Sequence, residues 1–216
     1  MEIKYENGFL YPIYKKSIEL LKKGNAVEYF KKLVVYIGKK KGQISEAETD
    51  RNERIGTDIF IVSKWLLIIL FWIFNFKGHC TLIITWYLIG TNIYTYFYYH
   101  IWSDSALNKR RDWDALKRRF FNLILAISFS EFCFAYLYTH HYLSQFNYSA
   151  DSNYVVQSFW FSISNSLAAN YDNVKIVSPL GYSITMIQLV ITFAFVTIIL
   201  GNSIPQTDEI NNQIEK

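Results

Sequence analysis

Four groups of residues in this 216-residue chain could do chemistry, and each lies in or beside strongly apolar sequence. Glu131 sits inside Ser128-Phe-Ser-Glu-Phe-Cys-Phe-Ala-Tyr136. A carboxyl in such a run must face a partner or water, which makes it a candidate for an ion pathway. The alternative is a protonated group bonded to a hydroxyl such as Ser164 or Ser166. Gln188 and Thr192, one helical turn apart, would line a wet inner cavity or bond one helix to another. Asn170-Tyr171-Asp172-Asn173 brackets a tyrosine with the non-glycine residue types that enter the left-handed backbone region most readily. His140 and His141 could titrate with external pH or simply sit at an interface.

Other chemistries are not indicated. Cys80 and Cys133 have no partner spacing, so neither a disulfide framework nor a zinc site is expected. There is no glycine-rich phosphate loop, no G-x-S-x-G and no H-E-x-x-H, so no enzyme is expected.

The elements that must position these residues are long apolar runs. The chain is 51% hydrophobic and 19% aromatic, and its mean hydropathy of +0.09 averages a charged N-terminal part with a greasy remainder. Run one is Ile59 to Phe76, run two His79 to Trp102 with an aromatic far end, run three Phe120 to Leu143, and run four Leu180 to Leu200. Each approaches the ~20 residues that cross ~30 Å of hydrocarbon, and Lys64 in run one could reach the interface with its long side chain. The spacing predicts an all-α integral membrane protein with four transmembrane helices. Runs one and two, at 58–102, would form a tight hairpin about Lys77-Gly78. Between runs three and four, Tyr154 to Leu167 is apolar but too short to span, and reads as a re-entrant or interfacial helix.

Charge sets the direction. Residues 1–57 hold twelve of the 22 Lys and Arg, together with eight acids, and residues 103–119 hold six more. Only Lys77 and Lys175 flank the runs on the other side. The positive-inside rule then puts both termini and the 103–119 linker in the cytoplasm of a multi-pass cell-membrane protein. The mixed charges argue against a nucleic-acid arm, and the basic excess reads first as a topology signal and second as a headgroup contact. Within residues 1–57, Tyr11 to Lys23 and Ala26 to Ile37 carry apolar residues near helical spacing (Ile13, Ile18, Leu21; Phe30, Val34, Ile37). They predict two short amphipathic helices, lying on the membrane or on a cytoplasmic partner. Residues 43–57 read as a flexible linker or short polar helix, and 203–216 as a polar tail.

Residues 120–202 resemble the pore domain of tetrameric potassium channels. Trp160-Phe161-Ser162-Ile163 is similar to that family's aromatic-aromatic-Ser-hydrophobic pore helix. Asn170-Tyr171-Asp172-Asn173 stands where the family has Gly-Tyr-Gly-Asp, and Val177-Ser178-Pro179-Leu180-Gly181 resembles the lead into its inner helix. The resemblance implies an outer helix, a pore helix at 154–167, a filter-like loop at 168–173 and an inner helix at 180–202. Ala168, Ala169, Asn170, Tyr171, Asp172 and Asn173 would form the filter, with Trp160, Phe161 and Ser164 behind it. The family's T-V-G-Y-G carbonyls replace the hydration shell of the ion. Here Ala168 lacks the threonine hydroxyl, Phe161 lacks an indole donor, and Thr192 stands near the place of an inner-helix glycine hinge. Four Asp172 carboxylates would ring the outer mouth, favouring cations without selecting potassium over sodium. Neither run one nor run two carries an arginine series, so voltage sensing is not expected.

These features imply a homotetrameric cation pore of weak or altered selectivity in a lipid bilayer. It would need no cofactor beyond a permeant monovalent cation such as K+, and would bind no nucleic acid. The alternatives are a non-conducting scaffold that retains the pore fold, and a membrane-permeabilising effector opened by a signal.

Overall fold

A computed structural model describes residues 10–42, 45–102, 113–149 and 153–203; the basic stretch 103–112 and the tail 204–216 lie outside them. The described chain contains seven α-helices and one two-stranded sheet. It divides into two units, residues 1–67 and 68–216.

In the first unit, α1 (Leu10–Lys23) and α2 (Ala26–Lys41) are separated at Gly24-Asn25. Asn25 caps α2 by accepting the Val27 N–H at 3.2 Å, and the Tyr29 hydroxyl donates to the Lys23 carbonyl at 2.9 Å. The third helix, α3 (Glu46–Ile73), begins in this unit and joins the polar segment and run one into a single helix. Its start is a capping box. The Ser45 N–H donates to Glu48 Oε2 at 2.8 Å, and the Glu48 N–H donates to Ser45 Oγ at 3.3 Å. No proline follows to end the helix, so the segment read as linker or short helix is the first part of a long one. α2 crosses it closely at Gly56, where a Cβ would stand 2.8 Å from Lys31 Cα and 3.0 Å from the Phe30 carbonyl oxygen. The Phe30 and Phe60 rings pack edge to face nearby, 5.5 Å apart. Lys64 is buried.

In the second unit, α3 ends in a Schellman motif. Asn75 takes φ +53°. The Asn75 N–H donates to the Trp72 carbonyl at 3.2 Å, and the Phe76 N–H to the Phe71 carbonyl at 3.2 Å. The Phe71 and Phe76 rings close the motif at 6.0 Å. The turn is tied to the next span by the Tyr136 hydroxyl, which donates to the Phe76 carbonyl at 2.5 Å. α4 (His79–Phe97) continues as a π-helical turn, Tyr98–Trp102. α5 (Trp113–Tyr136) likewise continues as Leu137–His141. A single 3-10 turn then leads into β1 (Phe146–Tyr148). α6 (Tyr154–Ser166), β2 (Val174–Ile176) and α7 (Pro179–Ser203) complete the order.

α4 lies against α5 and α7, with Tyr96, Leu123, Ala126 and Phe195 at the junction. Asn92 of α4 donates to the Ala126 carbonyl at 2.8 Å and to Ser130 Oγ at 3.0 Å, fixing the register of α4 on α5. β1 and β2 pair antiparallel, Phe146 opposite Ile176 and Tyr148 opposite Val174, so the segments before α6 and after it meet.

Among the described residues, three helical segments are long and apolar enough to cross a membrane: Ala47–Ile73, Phe120–His141 and Pro179–Thr197. They coincide with runs one, three and four. Run two is helical but is diluted by threonine, asparagine and tyrosine.

Gly56 generates a test. Alanine is worth about 1 kcal/mol more than glycine inside a helix, yet its Cβ would meet the α2 backbone. Gly56→Ala is therefore expected to speed hydrogen exchange of the α2 amides, and slower exchange would show that propensity outweighs the contact.

Candidate functional site

Three helices each bring a polar stripe to one place. α5 and its π turn supply Glu131 and Tyr138; α6 supplies Ser162 and Asn165; α7 supplies Thr185, Gln188 and Thr192. The spacings of three, four or seven residues put each set on one helical face.

Gln188, fully buried, is the hub. Its Nε2 lies 2.6 Å from Glu131 Oε2, 2.9 Å from the Ser162 carbonyl and 2.8 Å from Ser162 Oγ. Its Oε1 accepts from the Tyr138 hydroxyl at 2.5 Å and from Asn165 Nδ2 at 2.8 Å. Asn165 Nδ2 also donates to the Thr185 carbonyl at 3.0 Å. That second bond identifies it as nitrogen, and so fixes which end of the Gln188 amide is oxygen. Ser162 Oγ is 2.9 Å from the Glu131 carbonyl and 3.0 Å from Glu131 Oε2. Thr192 Oγ1 stands 3.4 Å from Glu131 Oε1 and donates to the Gln188 carbonyl at 3.1 Å. Among the described residues no basic side chain pairs with Glu131.

The network lies at mid-span. Glu131 is the twelfth of the 22 residues in Phe120–His141, and Gln188 the tenth of the 19 in Pro179–Thr197. The C-terminal half of α6 therefore ends at this level. Its N-terminal half is held beside the sheet. Asn153 caps it through the Val155 N–H at 2.9 Å, Gln157 Nε2 donates to the Ser149 carbonyl at 2.9 Å, and Ser158 Oγ donates to the Tyr148 hydroxyl at 2.9 Å. Burial pushes the Tyr148 phenol up to about 12 against the opposing effect of the Ser158 bond, so it stays a neutral hydroxyl.

The loop after α6 begins with a second Schellman motif. Ala168 takes φ +53°. The Ala168 N–H donates to the Asn165 carbonyl at 3.0 Å, and the Ala169 N–H to the Ser164 carbonyl at 2.8 Å. The expected left-handed residues were Asn170 and Asp172; the cap geometry moves that demand to Ala168. Ser164 contributes its carbonyl to this cap, while Ser162 bonds Glu131 and Gln188 and the Ser166 side chain, one of the two expected, also reaches the Glu131 carboxyl. Beyond the cap, the N–H groups of Asn170, Tyr171 and Asp172 have no hydrogen-bond partner among the described residues. The Asn170 side chain donates to Asp172 Oδ1 at 2.6 Å, and the Asn173 carbonyl accepts the Ser149 N–H at 2.9 Å.

The aromatic residues read as filter support divide. Phe161 is buried against Tyr138 and Phe146, with ring centroids 5.3 and 5.4 Å away. Trp160 is 54% exposed. Leu167, 73% exposed, and Ala168 line an open apolar groove of about 470 Å³ with Leu189, Val190, Phe193 and Val196. Gln188 faces the helix junction, and Thr192 lies between that junction and the groove.

Sequence reasoning reached Glu131, Gln188 and Thr192 but missed Ser162, Asn165 and Tyr138. The signal that could have found them is the polar spacing Ser158, Ser162, Asn165 in an otherwise apolar helix. No protein-family model, curated protein or solved structure matches the chain.

Two tests follow from this geometry. Gln188→Leu removes the acceptor of the Tyr138 hydroxyl and one bond each from Glu131, Ser162 and Asn165, and should cost about 2–5 kcal/mol; Glu131→Gln keeps an acceptor and a donor, and should cost less than about 1.5 kcal/mol. Thermal unfolding in detergent distinguishes them, and equal losses would remove Gln188 from its central role. Ala168→Gly relieves a left-handed alanine and should stabilise by about 1 kcal/mol, whereas Ala168→Val should destabilise; the reverse order would mean that the cap is not formed.

Proposed function

We propose that α4 is a fourth span, that α6 is a re-entrant helix, and that four copies of the chain enclose a water-filled pathway for monovalent cations. The observation that carries this reading is the loop at the inner end of α6. The chain leaves α6 at Leu167, near the level of Gln188 and the middle of α5 and α7, and on its way to β2 the N–H groups of Asn170, Tyr171 and Asp172 have no partner among the described residues. Irregular backbone at such depth is tolerated only where protein or water covers it, because each unpaired group in hydrocarbon costs several kcal/mol. One chain leaves this loop open, so neighbouring copies and water must cover it. The number four comes from the family resemblance.

Several features support the parts of this reading. Threonine hydroxyls of α4 are satisfied internally, Thr85 by the Thr81 carbonyl at 2.7 Å and Thr95 by the Thr91 carbonyl at 2.6 Å, which lowers the cost of a hydrocarbon setting. Asp172 is exposed two residues before β2 and supplies the fixed negative charge that draws cations.

A second reading has one observation of its own. Left-handed backbone is spent on the cap at Ala168, and among the described residues no aromatic ring packs on Tyr171. A loop without that support favours a scaffold that keeps the pore fold without conducting.

Ion flux into liposomes separates the two. The conducting reading expects potassium and sodium flux with little chloride flux, reduced severalfold by Asp172→Asn at low salt, from protein that native mass spectrometry finds as a tetramer. Tetramers with no flux of any ion, with or without the substitution, would support the scaffold.

A further inference from the structure

We propose that helices α1 and α2 form a docking surface for an anionic bilayer, each lying parallel to the headgroups with its lysines among them. This rests on the first unit alone and holds whether or not the chain conducts.

α1 is divided cleanly. At about 100° per residue, Leu10, Tyr11, Ile13, Tyr14, Leu20 and Leu21 share one half of the helix, while Lys15, Lys16, Glu19, Lys22 and Lys23 share the other. An amphipathic helix normally buries its apolar half, yet none of the 14 residues of α1 is buried. Leu10, Ile13, Tyr14, Leu20 and Leu21 are all more than half exposed.

α2 splits the same surface in two. Val27 is buried, Phe30 meets Phe60, and the α2 backbone meets Gly56, which accounts for one side. The other side leaves Ile37 exposed, together with Tyr29, Leu33 and Tyr36 around an open groove of about 430 Å³ that Lys32 also lines.

The occupant is identified by charge. α1 carries four lysines against Glu19, and α2 five lysines against Glu28. One of these, Lys31, pairs with Glu28 at 3.8 Å. A surface that is apolar in the middle, basic along its flanks and supplied with four tyrosines matches the boundary between acyl chains and anionic headgroups. A protein partner would have to combine apolar and acidic groups along both helices, whereas an anionic leaflet supplies both by its composition.

The test uses the full chain in nanodiscs of phosphatidylcholine alone or with about 30% phosphatidylserine. A single environment-sensitive fluorophore is placed at Leu21→Cys, Leu33→Cys or Lys16→Cys, with Cys80→Ser and Cys133→Ala removing the native thiols. The expected result is a blue shift and quenching by nitroxide-labelled lipid at positions 21 and 33 only in the serine-containing discs, with position 16 aqueous in both. Salt near 1 M, where the Debye length is about 3 Å, should reverse it. Each of Lys15, Lys16, Lys22 and Lys23 replaced by Gln should weaken the anionic preference roughly fivefold. Labels at 21 and 33 that stay aqueous in both discs would overturn the proposal. So would shielding that is the same in neutral discs and in detergent, which would point to a protein partner.

Discussion

The amide of Gln188 is the interaction on which the second unit depends. Three helices meet there, and one primary amide satisfies a carboxylate, a backbone carbonyl, a phenol and a second amide. A single hydrogen bond between membrane helices is worth only about 0.6 kcal/mol on average. The arrangement draws its force from the converse, since a partly broken polar network in low dielectric leaves several groups unpaired at once. Such a constraint sets register more than it adds stability. Sliding α6 by one turn would pull Ser162 and Asn165 from Gln188 together, and would separate Phe161 from Tyr138.

Register in turn fixes depth. Asn165 is held to the Thr185 carbonyl and to Gln188, so α6 ends near the middle of α5 and α7. The Schellman cap that closes it satisfies the last carbonyls but turns the chain outward, and the next three N–H groups meet nothing within the described chain. The same motif closes α3, where Asn75 occupies the left-handed position with little strain and Phe71 and Phe76 close the contact. At Ala168 the strain is larger and no apolar pair closes the motif. The two ends show one backbone solution placed in two settings, one finished by its own chain and one left open.

Much of this was legible in the sequence, and the exceptions have physical reasons. Runs one, three and four read directly as helices long enough to cross a membrane, because uninterrupted apolar length is itself the signal. Run two has a weaker signal, since Thr81, Thr85, Thr91 and Thr95 lower its hydropathy even though each bonds a carbonyl of its own turn. Ser45 and Glu48 form a capping box that was visible in the sequence and unread, so the start of α3 was placed too late. Glu131 stood out as a lone carboxyl in apolar sequence, but its partner Ser162 lies 31 positions away, and no local spacing reports a contact between helices. Propensity points to Asn170 and Asp172 for the left-handed position, whereas the end of α6 puts it at Ala168.

The exposed apolar faces of the two units call for different surroundings. α7 contains no charged residue, and its open face at Val190, Phe193 and Val196 adjoins the end of α6 at Leu167 and Ala168. An uncharged face of this kind has no group that either lipid or protein would strand. α1 is the opposite case: its apolar half is as exposed, yet lysines border it along both edges. Burial in a protein core would strand those charges, and full immersion in hydrocarbon would do so at greater cost. Only a boundary satisfies both halves, so the distribution of lysine is what distinguishes two otherwise similar apolar faces.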